Sequence, residues 1–471
     1  MLEHDAFDPA ILGRFDAFIG PLLFALGSKR ERRAVSDYAH GLLGPGGRKT
    51  VAPIAQRTRG VKSTPSLEAR IGKALREESW SHGSFMSDST QRLLRFAPDW
   101  SAYTLDDTSL LKQGKHSVGV ANQYAGCIGG LANCQVLVTV GLANEHVSTG
   151  CMARLFLPEA WCEDAERREE CHVPAEVTYR TKWQLGLELL DQLHDDGAPD
   201  LPVLADSFYG DVVDFRQGLD RRSRTYVVAI STTTKFWPPA TTFEPPTRQT
   251  GGRPRTGVQP TLGQRPQTIA QVASSLPDDA WQPVCWRHGS RGPLIGRFAA
   301  VRLRPSNGFR GQSVQPERLL EEQWLLMHWP EKEGAPTKAW LSNMPADTPV
   351  EKLIGYARMR WRIERDFREQ KGLLGLDEYE GRTWHGLHHH VALVLTTHQF
   401  LALERYNAIV EANSRAAPST PAIETPSTPD SQATPDSQAT PEAHRRRAPV
   451  RATNRPSTLD SQTTPLSSFS P

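Results

Sequence analysis

The chain has 471 residues, 38% of them hydrophobic, with 12 Trp and 16 Phe but also 36 Pro and 36 Gly. At roughly 100–200 residues per domain this length exceeds one small core, and the apolar fraction excludes a wholly disordered chain. A net charge of +2 points to no class of partner, so the placement of charge carries the information rather than its sum.

No run of about 18 uncharged apolar residues occurs, and residues 1–24 carry acids in place of a basic start, an apolar block and a cleavage site. Both features predict a soluble, cytoplasmic protein. The six cysteines (Cys127, Cys134, Cys151, Cys162, Cys171, Cys285) form no C-x-x-C pair and have no His at zinc-finger spacing, the pattern of reduced, unligated thiols.

Residues 1–100 read as a helical, mildly basic region with apolar stripes broken by Gly and Pro. Its basic clusters, 29–33 (KRERR) and 57–62 (RTRGVK), are either solvated helix faces or phosphate contacts. Residues 101–230 alternate strand and helix patterns. Tyr103-Thr104-Leu105-Asp106 reads as a short strand ending in carboxylates, and 135–142 (QVLVTVGL) as a second strand. A helix at 182–194 (KWQLGLELLDQLH), a buried strand at 201–206 (LPVLAD), a short helix near 212–219 and a strand at 225–230 (TYVVAI) follow, an order that argues for an α/β core.

Residues 231–343 turn to Pro, Thr, Gly and Arg with short strands at 298–303, 324–329 and 338–342, a β-rich insertion. It includes an arm, 251–257 (GGRPRTG), whose Arg253 and Arg255 suit insertion into a narrow minor groove or belong to an ordinary basic loop. Residues 344–411 return to the core. A long helix is expected there, with Thr348 as N-cap, Pro349 at its first position and Glu351 at the capping-box position, running to Lys371 and leaving at Gly372. A second, apolar helix is expected at 388–406. From 412 to 471 the Ser, Thr, Pro, Ala and Gln composition and the repeated TPDSQA predict a disordered tail.

Three acids stand out by position. Asp106 and Asp206 each close a predicted strand, where side chains project into the crevice beyond a sheet. Asp107 competes with Asp106, because alternation puts these neighbours on opposite faces. Glu364 lies on the long helix, where spacings of three and four put Arg360, Glu364 and Lys371 on one face. An isolated Glu364 would form helix-surface pairs with Arg360 and Arg368. In conjunction with two strand-end aspartates it completes an all-oxygen site for hard cations, and two Mg²⁺ ions about 3.5–4 Å apart suit phosphoryl transfer. Arg360 and Lys371 would then hold a phosphate backbone.

The segments 105–120 (LDDTSLLKQGKHSVGV), 205–210 (ADSFYG) and 360–371 (RWRIERDFREQK) resemble the three catalytic blocks of bacterial insertion-sequence DDE transposases, specifically insertion-sequence family 701. The segments 381–390 (GRTWHGLHHH) and 46–55 (GGRKTVAPIA) are also similar to that family, so the resemblance spans roughly residues 20–405. It implies an RNase H-like catalytic core split by the β-rich insertion, with Asp106 and Asp206 on strands and Glu364 on a helix as metal-binding catalytic carboxylates. Asp106 is preferred over Asp107 because its Asp-x-Thr form matches the first block. The resemblance further implies Mg²⁺ (with Mn²⁺ as substitute), transposon-end and target DNA, a homodimer on paired ends, and cleavage followed by strand transfer. Within its first block, Lys115 and His116 are candidates for DNA contact. His388, His389 and His390 are expected to be polar packing or DNA contacts, since magnesium prefers oxygen, and Trp361 core packing or hairpin support. The alternatives are a catalytically silent, transposase-derived DNA-binding regulator and a metal-dependent nuclease without strand transfer.

Overall fold

The computed structural model describes residues 9–59, 65–245, 257–261, 264–289, 292–307, 309, 319 and 321–416. Five helices come first: α1 (Pro9–Leu23), α2 (Lys29–Leu43), α3 (Val51–Arg59), α4 (Pro65–Arg76) and α5 (His82–Phe96). Ser28 and Glu31 cap α2 reciprocally, satisfying N–H groups that the first helical turn leaves open. Lys29, Arg30 and Arg33 lie exposed on this helix.

The core then runs β1 (Ala102–Leu111), β2 (Ala121–Ala125), β3 (Gly130–Ala143), β4 (Ser148–Phe156), α6 (Glu159–Glu163), α7 (Ala165–Glu170), α8 (Lys182–Asp195), β5 (Val203–Ala205), α9 (Ser207–Gly210), α10 (Val213–Arg221) and β6 (Tyr226–Ile230). The β-rich segment holds β7 (Lys235–Phe236), β8 (Phe243–Glu244), β9 (Gln259–Pro260), β10 (Gln267–Thr268), α11 (Ile269–Ser275), β11 (Gln282–Gly289), β12 (Gly292–Leu303), β13 (Gln323–Trp329) and β14 (Lys338–Ser342). Three helices close the described chain: α12 (Val350–Met359), α13 (Arg362–Gly372) and α14 (Trp384–Ala416).

One mixed sheet organises the described residues, in the order β11-β12-β13-β14-β6-β5-β1-β3-β2, with β4 also on β3. Only β1–β5 and β5–β6 are parallel; the remaining pairs in it are antiparallel. The β-rich segment therefore continues the core sheet through β14, which pairs with β6.

Side chains alternate across that sheet with period two. Tyr103, Leu105, Val203, Ala205 and Val228 face the large core with α8 and α14, whereas Ala102, Leu204, Val227 and Trp340 face a second cluster closed by Leu353, Ile354, Tyr356 and Met359 of α12. The N-terminal helices share the large core. Phe15 of α1 packs on Phe400 of α14 with ring centroids 5.1 Å apart, and Tyr38 of α2 bonds His390 Nδ1 at 2.9 Å.

Several expectations are corrected. The strand at Asp106 does not end there, because residues 107–111 stay paired with β3. The long helix is two. Pro349, not Thr348, occupies the N-cap, without a side-chain cap bond. The helical ladder is interrupted at Arg360 and Trp361, where the Trp361 and Ile363 amides reach back three residues instead of four, to Arg358 and Arg360 at 3.3 Å each. Trp361 is 40% exposed at this break rather than packed in the core. The final helix starts at Trp384 and extends to Ala416, so residues 412–416 belong to it and not to the tail. The tail from 417 and the arm with Arg253 and Arg255 lie outside the described residues.

All six cysteines are free thiols. Among the described residues no helix is long and apolar enough to cross a membrane.

Candidate active site

The parallel pairing of β1 and β5 ends at Leu105 opposite Ala205. Asp106 and Asp206 are thus the next residues on adjacent strands, at the point where the chain of β5 turns away. Asp206 becomes the N-cap of α9, its Oδ1 accepting from the amides of Phe208 at 3.0 Å and Tyr209 at 3.4 Å. That bond fixes the side chain at the end of the sheet.

Alternation along β1 separates the two neighbouring aspartates. Asp106 follows Ala102 and Thr104 on the α12 side, and its Oδ2 accepts from Arg360 at 3.1 Å. Asp107 follows Tyr103 and Leu105 on the α8 side, where Lys182 Nζ donates to it at 2.9 Å and the Tyr209 hydroxyl at 3.4 Å.

Arg360 sits at the junction of α12 and α13 and divides its guanidinium between two acids, donating also to Glu364 Oε1 at 2.5 Å. Asp106 and Glu364, 258 positions apart in sequence, are thereby brought onto one cation. Burial and the charge of Asp206 push the Asp106 carboxyl well above its usual range, against the pull of Arg360. Burial likewise raises Asp206, while Arg360 and the α9 amides lower it. Two desolvated acids that repel each other near one guanidinium need positive charge to ionise together. With Glu364, 39% exposed at its side chain, they form an all-oxygen set, the chemistry hard divalent cations prefer.

The proposed phosphate-binding cations are placed differently from expectation. Arg360 is engaged inside the acid cluster, and Lys371 donates to the Ser109 carbonyl at 2.8 Å, tying α13 to β1. Neither is a free surface cation. Lys115 and His116 are both exposed, with His116 Nδ1 3.5 Å from Glu170. His388, His389 and His390 are fully buried in polar packing.

Sequence reasoning missed Lys182 and Tyr209, since both reach Asp107 only through the tertiary fold. The one usable signal was the Thr181 capping box, which fixes where α8 begins and therefore which end of it presents Lys182.

Residues 21–293 match the family model described as DDE superfamily endonuclease. That span contains Asp106 and Asp206 and stops before Glu364. No curated protein matches the chain.

Proposed function

The chain belongs to the DDE superfamily of endonucleases, and from that premise we propose that it is a transposase of the insertion-sequence type. It cleaves transposon-end DNA and joins the freed 3′-OH to target DNA. The observation that carries this reading is the convergence of Asp106, Asp206 and Glu364, from two strands and a helix, around Arg360. The mixed sheet with its β1-β5-β6 parallel center supports an RNase H-like core, and the likeness of three sequence blocks to insertion-sequence family 701 supports the finer assignment.

Asp106, Asp206 and Glu364 would hold two Mg²⁺ ions, or Mn²⁺ in their place. When bound, such cations supply the charge stabilisation that phosphoryl transfer needs. The chain's own residues set up that site. Asp206 is oriented by the α9 amides, Asp106 by the amide of Asp107 at 2.8 Å, and Glu364 by Arg360. Arg360 bonds Asp106 and Glu364 and holds these two acids in place, and its fork would suit a phosphate if it left them. In the first step water hydrolyses a phosphodiester at the transposon end, leaving a 3′-OH. In the second that hydroxyl displaces a target-strand oxygen, so one bond forms as another breaks. Pairing two ends calls for two copies of the chain on DNA.

The test is an excision assay with the full chain, Mg²⁺ and a plasmid carrying the gene's native flanks, comparing wild type with Glu364→Gln. Release and rejoining of the flanked segment by wild type alone is the expected result. Release without joined products identifies a nuclease, and flank binding without cleavage identifies a DNA-binding regulator.

A further inference from the structure

We propose that His82, His385 and His389 form a second metal site, for one nitrogen-preferring transition ion of the Zn²⁺ class, fastening the start of α5 to α14. One ring nitrogen of each histidine lies within 4.8 Å of the others. His385 and His389 are one turn apart on α14 and so share a face, and His82 opens α5 opposite them. Zinc binds nitrogen at about 2.0–2.1 Å in a tetrahedron, so the three nitrogens must close toward one another by up to about 1.5 Å, within reach of side-chain rotation.

The second observation is an unresolved polarity at His389. Its Nδ1 lies 2.7 Å from the Leu75 carbonyl oxygen and its Nε2 3.0 Å from that of Trp80. A neutral imidazole has a single N–H, so one nitrogen aims a lone pair at a carbonyl oxygen. That nitrogen makes no hydrogen bond to its carbonyl and is the ring's available ligand atom. Neutral imidazole is also the form that ligates a metal.

The surroundings fit. The Trp80 ring stacks on His389 with centroids 3.6 Å apart. Glu78 lies 3.4 Å from His385 Nε2, the carboxylate partner that metal-bound histidines commonly use through their other nitrogen. A cavity of about 580 Å³ lined by Glu78, Trp80, His82 and His385 gives an ion a route from solvent. His388 is excluded from the set, since its Nδ1 meets the Trp384 carbonyl at 2.9 Å and its Nε2 accepts from the Leu155 amide at 3.3 Å. Nitrogen donors also make this site blind to Mg²⁺, unlike the carboxylate cluster.

The experiment uses the full chain, stripped with a chelator and dialysed into excess Mg²⁺ so that the carboxylates are saturated, then titrated with Zn²⁺ by calorimetry. One equivalent should bind, with a rise in Tm, and Co²⁺ in its place should give the visible bands of a tetrahedral nitrogen site. His385→Asn and, separately, His82→Asn should lose the equivalent and the bands while keeping the wild-type circular dichroism spectrum and Mg²⁺-dependent DNA cleavage. Failure of the wild type to take up Zn²⁺ under excess Mg²⁺, or full stoichiometry in both variants, would overturn the proposal.

Discussion

Asp106 and Asp206 are part-buried acids pushed toward their neutral form, and part-buried His82 and buried His388 and His389 are bases pushed toward theirs. The acids are nevertheless held beside a guanidinium and helix amides, groups that reward ionisation. The histidines are packed against aromatic rings and beside backbone carbonyls; the carbonyls favour a proton but are outweighed by burial. The same burial therefore produces a site whose working state is charged and one whose working state is neutral. A charged buried site needs cations and stores instability until they arrive; a neutral one rests stable and offers lone pairs.

The largest effect that would break this contrast is in catalysis. Asp206→Asn keeps the N-cap of α9, because Asn caps as well as Asp, yet DNA cleavage should fall about 10³-fold, the several kcal/mol that a metal-binding carboxylate contributes. Melting of the same variant in chelator at pH 8 should show no loss of stability, since a disfavoured charge has gone. A marked drop in Tm would mean that Asp206 is a structural cap and not a stored charge.

Next in size is Arg360→Met. It leaves buried carboxylates uncompensated, and should cost about 3 kcal/mol at pH 8 in chelator. Denaturant titration should show most of that loss recovered by Mg²⁺ or by acidification. A loss independent of pH and Mg²⁺ would reduce Arg360 to packing.

The pH dependence of the two clusters has opposite sign. An acid with raised folded-state pKa binds more protons folded than unfolded, so its contribution falls as pH rises above the ordinary carboxylate range near 4. A histidine with lowered pKa contributes fully above about 6.5 and loses its contribution as pH falls below that value, by about 2 kcal/mol at pH 5. In chelator, His82→Asn should accordingly lose less stability than wild type between pH 7 and pH 5, as read by urea midpoints. Parallel curves for the two proteins would show His82 to be solvated.

The smallest effect concerns the far side of β1. Lys182→Gln removes one partner of Asp107 and should cost no more than about 1 kcal/mol, with cleavage retained. Asp107→Asn should likewise keep Mg²⁺-dependent cleavage; its loss would exchange the roles assigned to Asp106 and Asp107.

Much of the site was legible because its acids sit at local signals. The run Leu201 to Ala205 is apolar, short and followed by Asp206, and the structure places that aspartate at the strand end. At Asp106 the pattern misled, since Thr108 and Ser109 are polar yet continue the strand by pairing with Leu137 and Val136. The helix around Glu364 looked continuous because neither Gly nor Pro marks its interruption. The cause is tertiary. Leu353 and Met359 pack into the cluster under one face of the sheet, whereas α13 lies along β1 and β4, and Arg360 is held by Asp106 at the turn between them. Helical periodicity showed which residues share a face, but not that the axis changes direction. The histidines at 388–390 could be read as packing, whereas their relation to His82 and Trp80, some 300 residues away in sequence, could not.

The pairing of β6 with β14 has a consequence for synthesis. More than a hundred residues separate these strands, so while the ribosome is still translating the β-rich segment the parallel strands emerge with a bare hydrogen-bonding edge. Asp106 and Asp206 already stand side by side on that fragment, but Arg360 and Glu364 have not yet been made. A nascent or prematurely terminated chain thus carries two mutually repelling acids and no complete acid set. On the proposed function, such a chain would lack activity until its last helices are translated.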